Sequence, residues 1–184
     1  KARFMGADIM RIVASSLMFR NEPHAPQIEA IVKMLKTSVQ IAADNGVILA
    51  LENHIDYTSA EIQEILERVG SDALKVNFDT GNTLRMMEDP VAAARRLGPF
   101  TVATHTKDLD ACRHVRPEEW YFFSSVPVGT GLIDMRGVVL ALKECGYQGV
   151  LAVESDHHKD NQDEDQLVAA SVAYLKQLLA ELEG

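Results

Sequence analysis

Four short apolar segments of this chain each end on a residue that can bind a metal ion or transfer a proton. The last residues of these segments are Glu52, Asp79, His105 and Glu154. Short apolar runs flanked by helical patterns are typical of buried parallel strands. Because ligands bind at the carboxyl ends of parallel strands, we expect the four side chains to converge on one point.

Strand and helix patterns alternate along the whole sequence. The six predicted strands are Ile9–Ala14, Val47–Glu52, Lys75–Asp79, Thr101–His105, Val126–Gly129 and Val150–Glu154. The predicted helices run roughly over 27–44, 59–69, 90–97, 135–145 and 163–182, with a turn at 80–82 and an irregular segment over 107–125. Repeated βα units with short connections indicate an α/β fold with a parallel sheet. Ligands on four strand ends favour a barrel, because an open sheet places its site at one switch point.

The composition indicates one globular domain over residues 1–184 with an acidic surface. A net charge of −9 and a pI near 5.1 argue against nucleic acid as a partner, since Lys and Arg must neutralise its phosphates. No apolar stretch approaches about 18 residues, so we expect no membrane span. The absence of a signal-peptide pattern and the presence of only two cysteines favour a cytoplasmic location. A homo-oligomer stays open.

Three carboxylates and one imidazole form a ligand set that suits Mn²⁺, Mg²⁺, Co²⁺ or Zn²⁺. Each residue also has an ordinary interpretation. Either Glu could form an ion pair, Asp79 could close a simple turn, and a lone His is most often a buried core residue. The occurrence of all four at matching strand ends favours one shared divalent cation. Beside that cation, one Glu could remove a proton from the carbon next to a carbonyl while the other returns one, as in aldose–ketose isomerisation or epimerisation through an enediolate.

Five motifs in order carry a family resemblance. They are Leu49–His54, Asn77–Asn82, His105–Asp108, Val128–Asp134 and Gly146–Glu154. Together these motifs resemble the sugar phosphate isomerase/epimerase family, the xylose-isomerase-like TIM barrels, over residues 6–182. The resemblance implies a (β/α)8 TIM barrel that acts on a small-molecule carbohydrate and uses one divalent cation. Any one motif is weak, and the set identifies the superfamily rather than the substrate.

The resemblance also implies roles for single residues. Glu52, Asp79, His105 and Glu154 match the family's metal ligands, and Glu52 and Glu154 match its acid/base pair. Asp108 is predicted to orient a neighbouring residue or a ligand. Four further residues are predicted to contact the substrate: His54, Asn82, Lys107 and Arg113. Lys107 follows His105 by two residues and should point to the same side of the strand. Arg113 lies in a charged loop, and such loop charges are more often solvated.

Two features depart from the family pattern. Epimerases of the family commonly carry His three residues after the metal-ligating Asp, whereas this chain has Asn82. The length also differs, because a barrel of this kind usually needs about 250 residues. Counted by resemblance, Ile9–Ala14 is the third of eight strands, so the chain covers about the last six βα units and apparently lacks the first two. We then expect Ile9–Ala14 and Val150–Glu154 each to lack one strand neighbour.

Other functions remain open on the same scaffold. A lyase of the inosose or dehydroshikimate dehydratase type would use the same proton abstraction and then lose a β-hydroxyl. An AP-endonuclease-like nuclease would need further His and Asp ligands and a basic groove, and both Asn82 and the net charge of −9 count against it. A partial barrel without turnover, which folds only with a partner, is the non-enzymatic alternative.

Overall fold

Four parallel strands form the centre of the computed structural model, which describes residues 2–112, 122–156 and 162–183. The strands are β1 (Ile9–Ile12), β2 (Ile48–Glu52), β3 (Leu74–Asp79) and β4 (Thr101–His105), and they lie side by side in chain order. In this register Glu52 pairs with Asn77, and Asp79 pairs with His105. Three of the predicted metal ligands therefore end neighbouring strands at the same edge of the sheet.

Six α-helices accompany the sheet in the part of the chain that the structure describes. They are α1 (His24–Asp44), α2 (Ser59–Val69), α3 (Thr80–Arg85), α4 (Pro90–Leu97), α5 (Met135–Glu144) and α6 (Glu164–Glu183), and short 3-10 turns cover Arg3–Met5, Leu17–Phe19 and Gly98–Phe100. Local sequence explains several helix starts. Thr58 and Glu61 form a reciprocal capping box at α2, and the Asp89 and Asp134 carboxylates accept backbone N–H bonds at α4 and α5.

The strands present apolar residues to the helices and polar residues to the other face. Leu51, Val76 and Phe78 are fully buried in the hydrophobic core, together with apolar residues of α1, α2, α4 and α5. Successive side chains of a strand point to opposite faces. Glu52 and Asp79 alternate with these core residues, so their carboxylates lie on the face of the sheet away from the helices.

Two of the six predicted strands are wrong in detail. The strand predicted over Val126–Gly129 instead lies earlier, as β6 (Phe123–Val126), and it pairs antiparallel with β5 (Asp108–Ala111) as a separate two-stranded sheet. This pairing also corrects the irregular segment predicted over 107–125, as far as that segment is described. The antiparallel pairing was missed because the two strands are too far apart in the chain for the short loops, of about two to five residues, by which a hairpin is identified from sequence.

The predicted strand Val150–Glu154 is reduced to one parallel bridge between Val153 and Thr106. The hydroxyl of Thr104 explains why the ladder does not continue. It donates to Val150 O at 2.9 Å and accepts from Ala152 N at 3.2 Å, so a side chain takes the backbone groups that a neighbouring strand would have paired.

Other predicted boundaries shift locally. The predicted turn at 80–82 begins helix α3 because Asp79 accepts the N–H of Asn82 at 2.9 Å, and α1 begins at His24 rather than Gln27. Among the described residues β1 pairs with β2 only. None of the helices described here combines the length and apolar character needed to cross a bilayer.

Candidate metal centre

Four side chains meet at the carboxyl edge of the sheet. One ligand atom from each of Glu52, Asp79, His105 and Glu154 lies within 4.8 Å of the corresponding atoms of the other three. Glu52 and Asp79 are almost completely buried, whereas the His105 and Glu154 side chains retain 23% and 32% exposure. The structure thus brings together the four residues predicted as metal ligands, with two ligands inside the protein and two at the opening.

Glu52 is held from two directions. One oxygen, Oε1, lies 3.0 Å from Nδ1 of His105, and the other, Oε2, pairs with the guanidinium of Arg11 on β1. Burial acts to raise the pKa of Glu52, but the hydrogen bond from His105 and the charge of Arg11 outweigh it, so the pKa is lowered. Glu52 is therefore ionised at neutral pH.

The backbone of Asp79 is held by the side chain of Asn53. The Asn53 side-chain amide donates to Asp79 O at 2.8 Å and accepts from Asp79 N at 2.7 Å, which joins the ends of β2 and β3. Asp79 Oδ1 caps α3, which leaves Oδ2 facing the other ligands. Complete burial raises the pKa of Asp79 to about 7, although the charge of Lys107 acts to lower it.

Lys107 lies beside the ligands as a buried cation. Its Nζ is 2.7 Å from Glu154 Oε2, 3.0 Å from Asp79 Oδ2 and 3.1 Å from Asp156 Oδ2. Burial acts to lower the pKa of Lys107, but the three carboxylates outweigh it and raise the pKa. A Cβ at Gly81 would lie 2.7 Å from Lys107 Cγ, so the glycine makes room for this side chain.

One hydroxyl group fixes the backbone that carries Lys107. The hydroxyl of Thr80 donates to Lys107 O at 2.6 Å and accepts from Lys107 N at 2.9 Å.

His105 Nδ1 lies 3.4 Å from Glu154 Oε2 and 3.9 Å from Asp79 Oδ2. The hydrogen bond with Glu52 raises the pKa of His105 against the effect of burial.

The donor set fits a divalent cation. Within the described parts of the chain, Asp79 Oδ2 and Glu154 Oε2 are buried oxygens without a hydrogen bond of normal geometry, although Lys107 lies close to both. Buried carboxylate oxygens without such bonds are costly unless a cation compensates them. Three carboxylates and one imidazole are suitable ligands for a hard or borderline ion such as Mg²⁺, Mn²⁺, Co²⁺ or Zn²⁺.

The other predicted site residues lie around the cluster rather than in it. His54 is directed to the buried Asp56, with 3.7 Å between Nδ1 and Oδ1. Asn82 is buried in α3, where its backbone N–H binds Asp79. Asp108 accepts the N–H groups of Gly129 and Gly131, both at 2.9 Å, and so holds the turn after β6. Arg113 lies outside the described residues.

Sequence reasoning missed five residues that shape the site: Arg11, Asn53, Thr80, Arg85 and Asp156. Asn53 and Thr80 directly follow a predicted ligand, and this adjacency was the available signal for a clamp between strand ends. Arg11 carried a weaker signal, since it is a charged residue inside a predicted strand. Asp156 follows Glu154 by two residues, the spacing that relates Lys107 to His105, and this spacing was its available signal. Arg85 gave no signal, because it lies 71 residues from Asp156 and meets it only through the fold.

Comparison with known proteins identifies the family of the chain. The family described as xylose isomerase-like TIM barrel matches residues 2–178. An uncharacterised protein of Methanocaldococcus jannaschii is 26% identical over 157 residues, which cover 81% of this chain and 50% of that protein. An inosose dehydratase of Clostridium beijerinckii is 25% identical over 128 residues, which cover 64% of this chain and 43% of that enzyme. The chain spans about half the length of the curated relatives it matches.

Two solved structures share the fold. A D-tagatose 3-epimerase-like protein matches with a TM-score of 0.75 at 20% identity, covering 99% of this chain and 66% of that one. A xylose isomerase-like TIM barrel protein of Mycobacterium smegmatis, solved in complex with magnesium, matches with a TM-score of 0.71 at 20% identity, covering 98% and 63%. The fold is therefore α/β and TIM-barrel-like, and the four-stranded parallel sheet corresponds to part of the barrel wall.

Proposed function

Because this chain belongs to the xylose isomerase-like TIM barrel family, we propose that it carries the metal centre of an isomerase or epimerase acting on a sugar or sugar phosphate. The observation that carries the proposal is the meeting of Glu52, Asp79, His105 and Glu154 within 4.8 Å. These four residues would hold one divalent cation, which when bound supplies polarisation of the substrate carbonyl.

Glu52 and Glu154 are the proposed acid/base pair. Both carboxylates approach His105, at 3.0 Å and 3.4 Å from its Nδ1. One ionised Glu would take the proton from the carbon next to the carbonyl, breaking the C–H bond and forming a carboxylic O–H bond. The protonated partner would then deliver a proton to the opposite face, or to the neighbouring carbon, so the overall proton count is unchanged.

Lys107 is the proposed contact for a substrate oxygen. Its ammonium lies next to Glu154 and is held in a buried position by the backbone bonds of Thr80. A buried cation at this point would stabilise negative charge that develops on oxygen when the proton leaves carbon. Contacts of His54, Asn82 and Arg113 with substrate remain predictions, because these side chains are not part of the cluster or are not described.

A lyase is the second candidate function. The relative from Clostridium beijerinckii is an inosose dehydratase, and such a reaction begins with the same abstraction of a proton next to a carbonyl. The difference lies in the second step, where the β-hydroxyl leaves as water after protonation. The same Glu pair suits both reactions, so the products must distinguish them.

Proton exchange at carbon tests the proposal. The protein is incubated in D₂O with Mn²⁺ and a panel of keto sugars, their phosphates and inososes, and NMR follows deuterium entry next to the carbonyl. We expect exchange that EDTA abolishes, with an epimer or isomer as product, whereas loss of water would support the lyase. Failure to exchange with every substrate and with Mn²⁺, Mg²⁺, Co²⁺ and Zn²⁺ would contradict both functions.

A matched control separates the site from the general acidity of the protein. Asp72 is an exposed carboxylate that precedes β3, at the strand end opposite Asp79. Asp72→Asn removes the same charge as Asp79→Asn. We expect Asp72→Asn to leave exchange unchanged and Asp79→Asn to abolish metal-dependent exchange.

A further inference from the structure

Asp156 lies next to the metal centre but is not one of the four ligands. Its Oδ2 is 3.1 Å from Nζ of Lys107, and the Lys107 ammonium also contacts the ligands Asp79 and Glu154. Lys107 therefore has two sets of partners. The first set consists of Asp79 and Glu154, which would bind a cation. The second is Asp156, which is not one of the four proposed ligands.

The Asp156 carboxylate is itself held in place by other elements. Arg85 at the end of α3 donates to both of its oxygens, at 2.6 and 3.0 Å, in a bidentate pair. Ser125 on β6 donates its hydroxyl to Oδ1 at 2.9 Å and accepts from the Asp156 N–H at 3.2 Å. A bidentate Arg pair fixes both the position and the orientation of a carboxylate. Asp156 thus gives Lys107 an anchor whose position does not depend on the ligands.

We propose that Asp156 is a positioning residue that holds the Lys107 ammonium when a divalent cation occupies the four ligands. The inference rests on the proposed function in so far as it assumes that these ligands bind a cation. Without the anchor, Lys107 would keep Asp79 and Glu154 as its partners and would compete with the cation for the same oxygens. With the anchor, the ammonium can leave these oxygens and still remain paired and buried beside the substrate.

The charges around the site explain why such an anchor is needed. A buried ammonium without a carboxylate partner is strongly unfavourable. A divalent cation would neutralise the carboxylates of Asp79 and Glu154, and its positive charge would repel the Lys107 ammonium. Among the described carboxylates that contact the Lys107 ammonium, Asp156 is the one outside the ligand cluster. Retention of Lys107 in the metal-loaded protein would then depend on Asp156.

A double-mutant cycle on Mn²⁺ affinity tests the positioning role. Mn²⁺ binding is measured by calorimetry in the unchanged protein, in Asp156→Asn, in Lys107→Met and in the double variant. We expect D156N to weaken Mn²⁺ binding about tenfold, the effect of one charge-assisted hydrogen bond, and K107M to tighten it. In the K107M background, D156N should change the affinity less than twofold, because no ammonium competes. Asp156→Glu should restore most of the affinity.

The alternative outcomes are distinct. If D156N weakened Mn²⁺ binding by the same factor with and without Lys107, Asp156 would act only through its own charge and the positioning role would be overturned. If no variant and not even the unchanged protein bound a divalent cation, the proposed function would fail as well. Should D156N be poorly folded, Ser125→Ala keeps the carboxylate but removes one of its hydrogen bonds. We expect it to show the same dependence on Lys107 at smaller size, and an equal effect in both backgrounds would again overturn the role.

Discussion

Glu52 and Asp79 lie on central strands and are almost completely buried, whereas His105 and Glu154 keep a quarter to a third of their side chains exposed. The Asn53 amide and the β2–β3 ladder fix the buried half. Glu154 follows a single bridge to Thr106, and side-chain contacts of Thr104 and Lys107 hold its segment. The sheet therefore positions Glu52, Asp79 and His105, whereas one bridge and side-chain contacts position Glu154.

This difference has a functional meaning. A rigid buried half presents ligands in a fixed position, which favours tight cation binding without reorganisation. The more exposed half is the side from which a substrate can approach. The proposed acid/base pair is divided between the two halves, with Glu52 in the buried half and Glu154 at the opening. Perturbation of each half should therefore give different results.

The largest effect is expected from removal of the acid/base pair. Glu52→Gln and Glu154→Gln should each lower turnover by about 10²–10⁴-fold, because an amide cannot accept a proton. Steady-state kinetics at saturating Mn²⁺, with circular dichroism as a check of folding, measures the effect. Near-native turnover of either variant would remove that residue from the acid/base role and would break the proposed division of the pair.

Stability should respond more strongly to loss of the clamp in the buried half. Asn53→Ala leaves the buried N–H and C=O of Asp79 without their partners and should lower the free energy of unfolding by about 1–3 kcal/mol for each group. Thr104→Val removes the hydrogen bonds of a buried hydroxyl to Val150 O and Ala152 N. Val150 and Ala152 are exposed, so water can replace the lost partner, and the substitution should cost roughly 0.5–1.5 kcal/mol. Urea denaturation of both variants compares the two costs. Equal losses of unfolding free energy in the two variants would show that the buried half of the site is not held more firmly than the exposed half.

The pH dependence of cation binding should report the protons held by one residue of each half, Asp79 and His105. The pKa of Asp79 is raised to about 7, and the pKa of His105 is also raised, so in the metal-free protein both groups bind protons more readily than usual. A cation must displace those protons, and its affinity should therefore fall as pH decreases below 7, by about tenfold per pH unit for each proton displaced. Calorimetric Mn²⁺ titrations at pH 6 and pH 8 measure this slope. Equal affinities at the two pH values would contradict the raised pKa of Asp79.

Much of the buried half could be predicted from the sequence. An apolar run that ends in Glu52 or Asp79 predicts both a buried strand and a carboxylate at its end, because strand periodicity and burial are local properties. The capping residues Thr58, Asp89 and Asp134 likewise identified helix starts from adjacent positions. The segment Val150–Glu154 has the same local pattern, but it pairs through one bridge only, since Thr104 from another strand takes its backbone groups.

The sequence by itself determined the α/β class, the carboxyl ends of β2, β3 and β4 and the chemical types of the four proposed ligands, because each depends on residues that are neighbours in the chain. Tertiary structure decided which charged groups surround those ligands. Arg11 reaches Glu52 across 41 positions, and Arg85 reaches Asp156 across 71. No periodicity or spacing encodes such contacts, since they depend on how strands and loops from distant positions are placed around one point. The pKa of Asp79 and the partners of Lys107 follow from that placement alone.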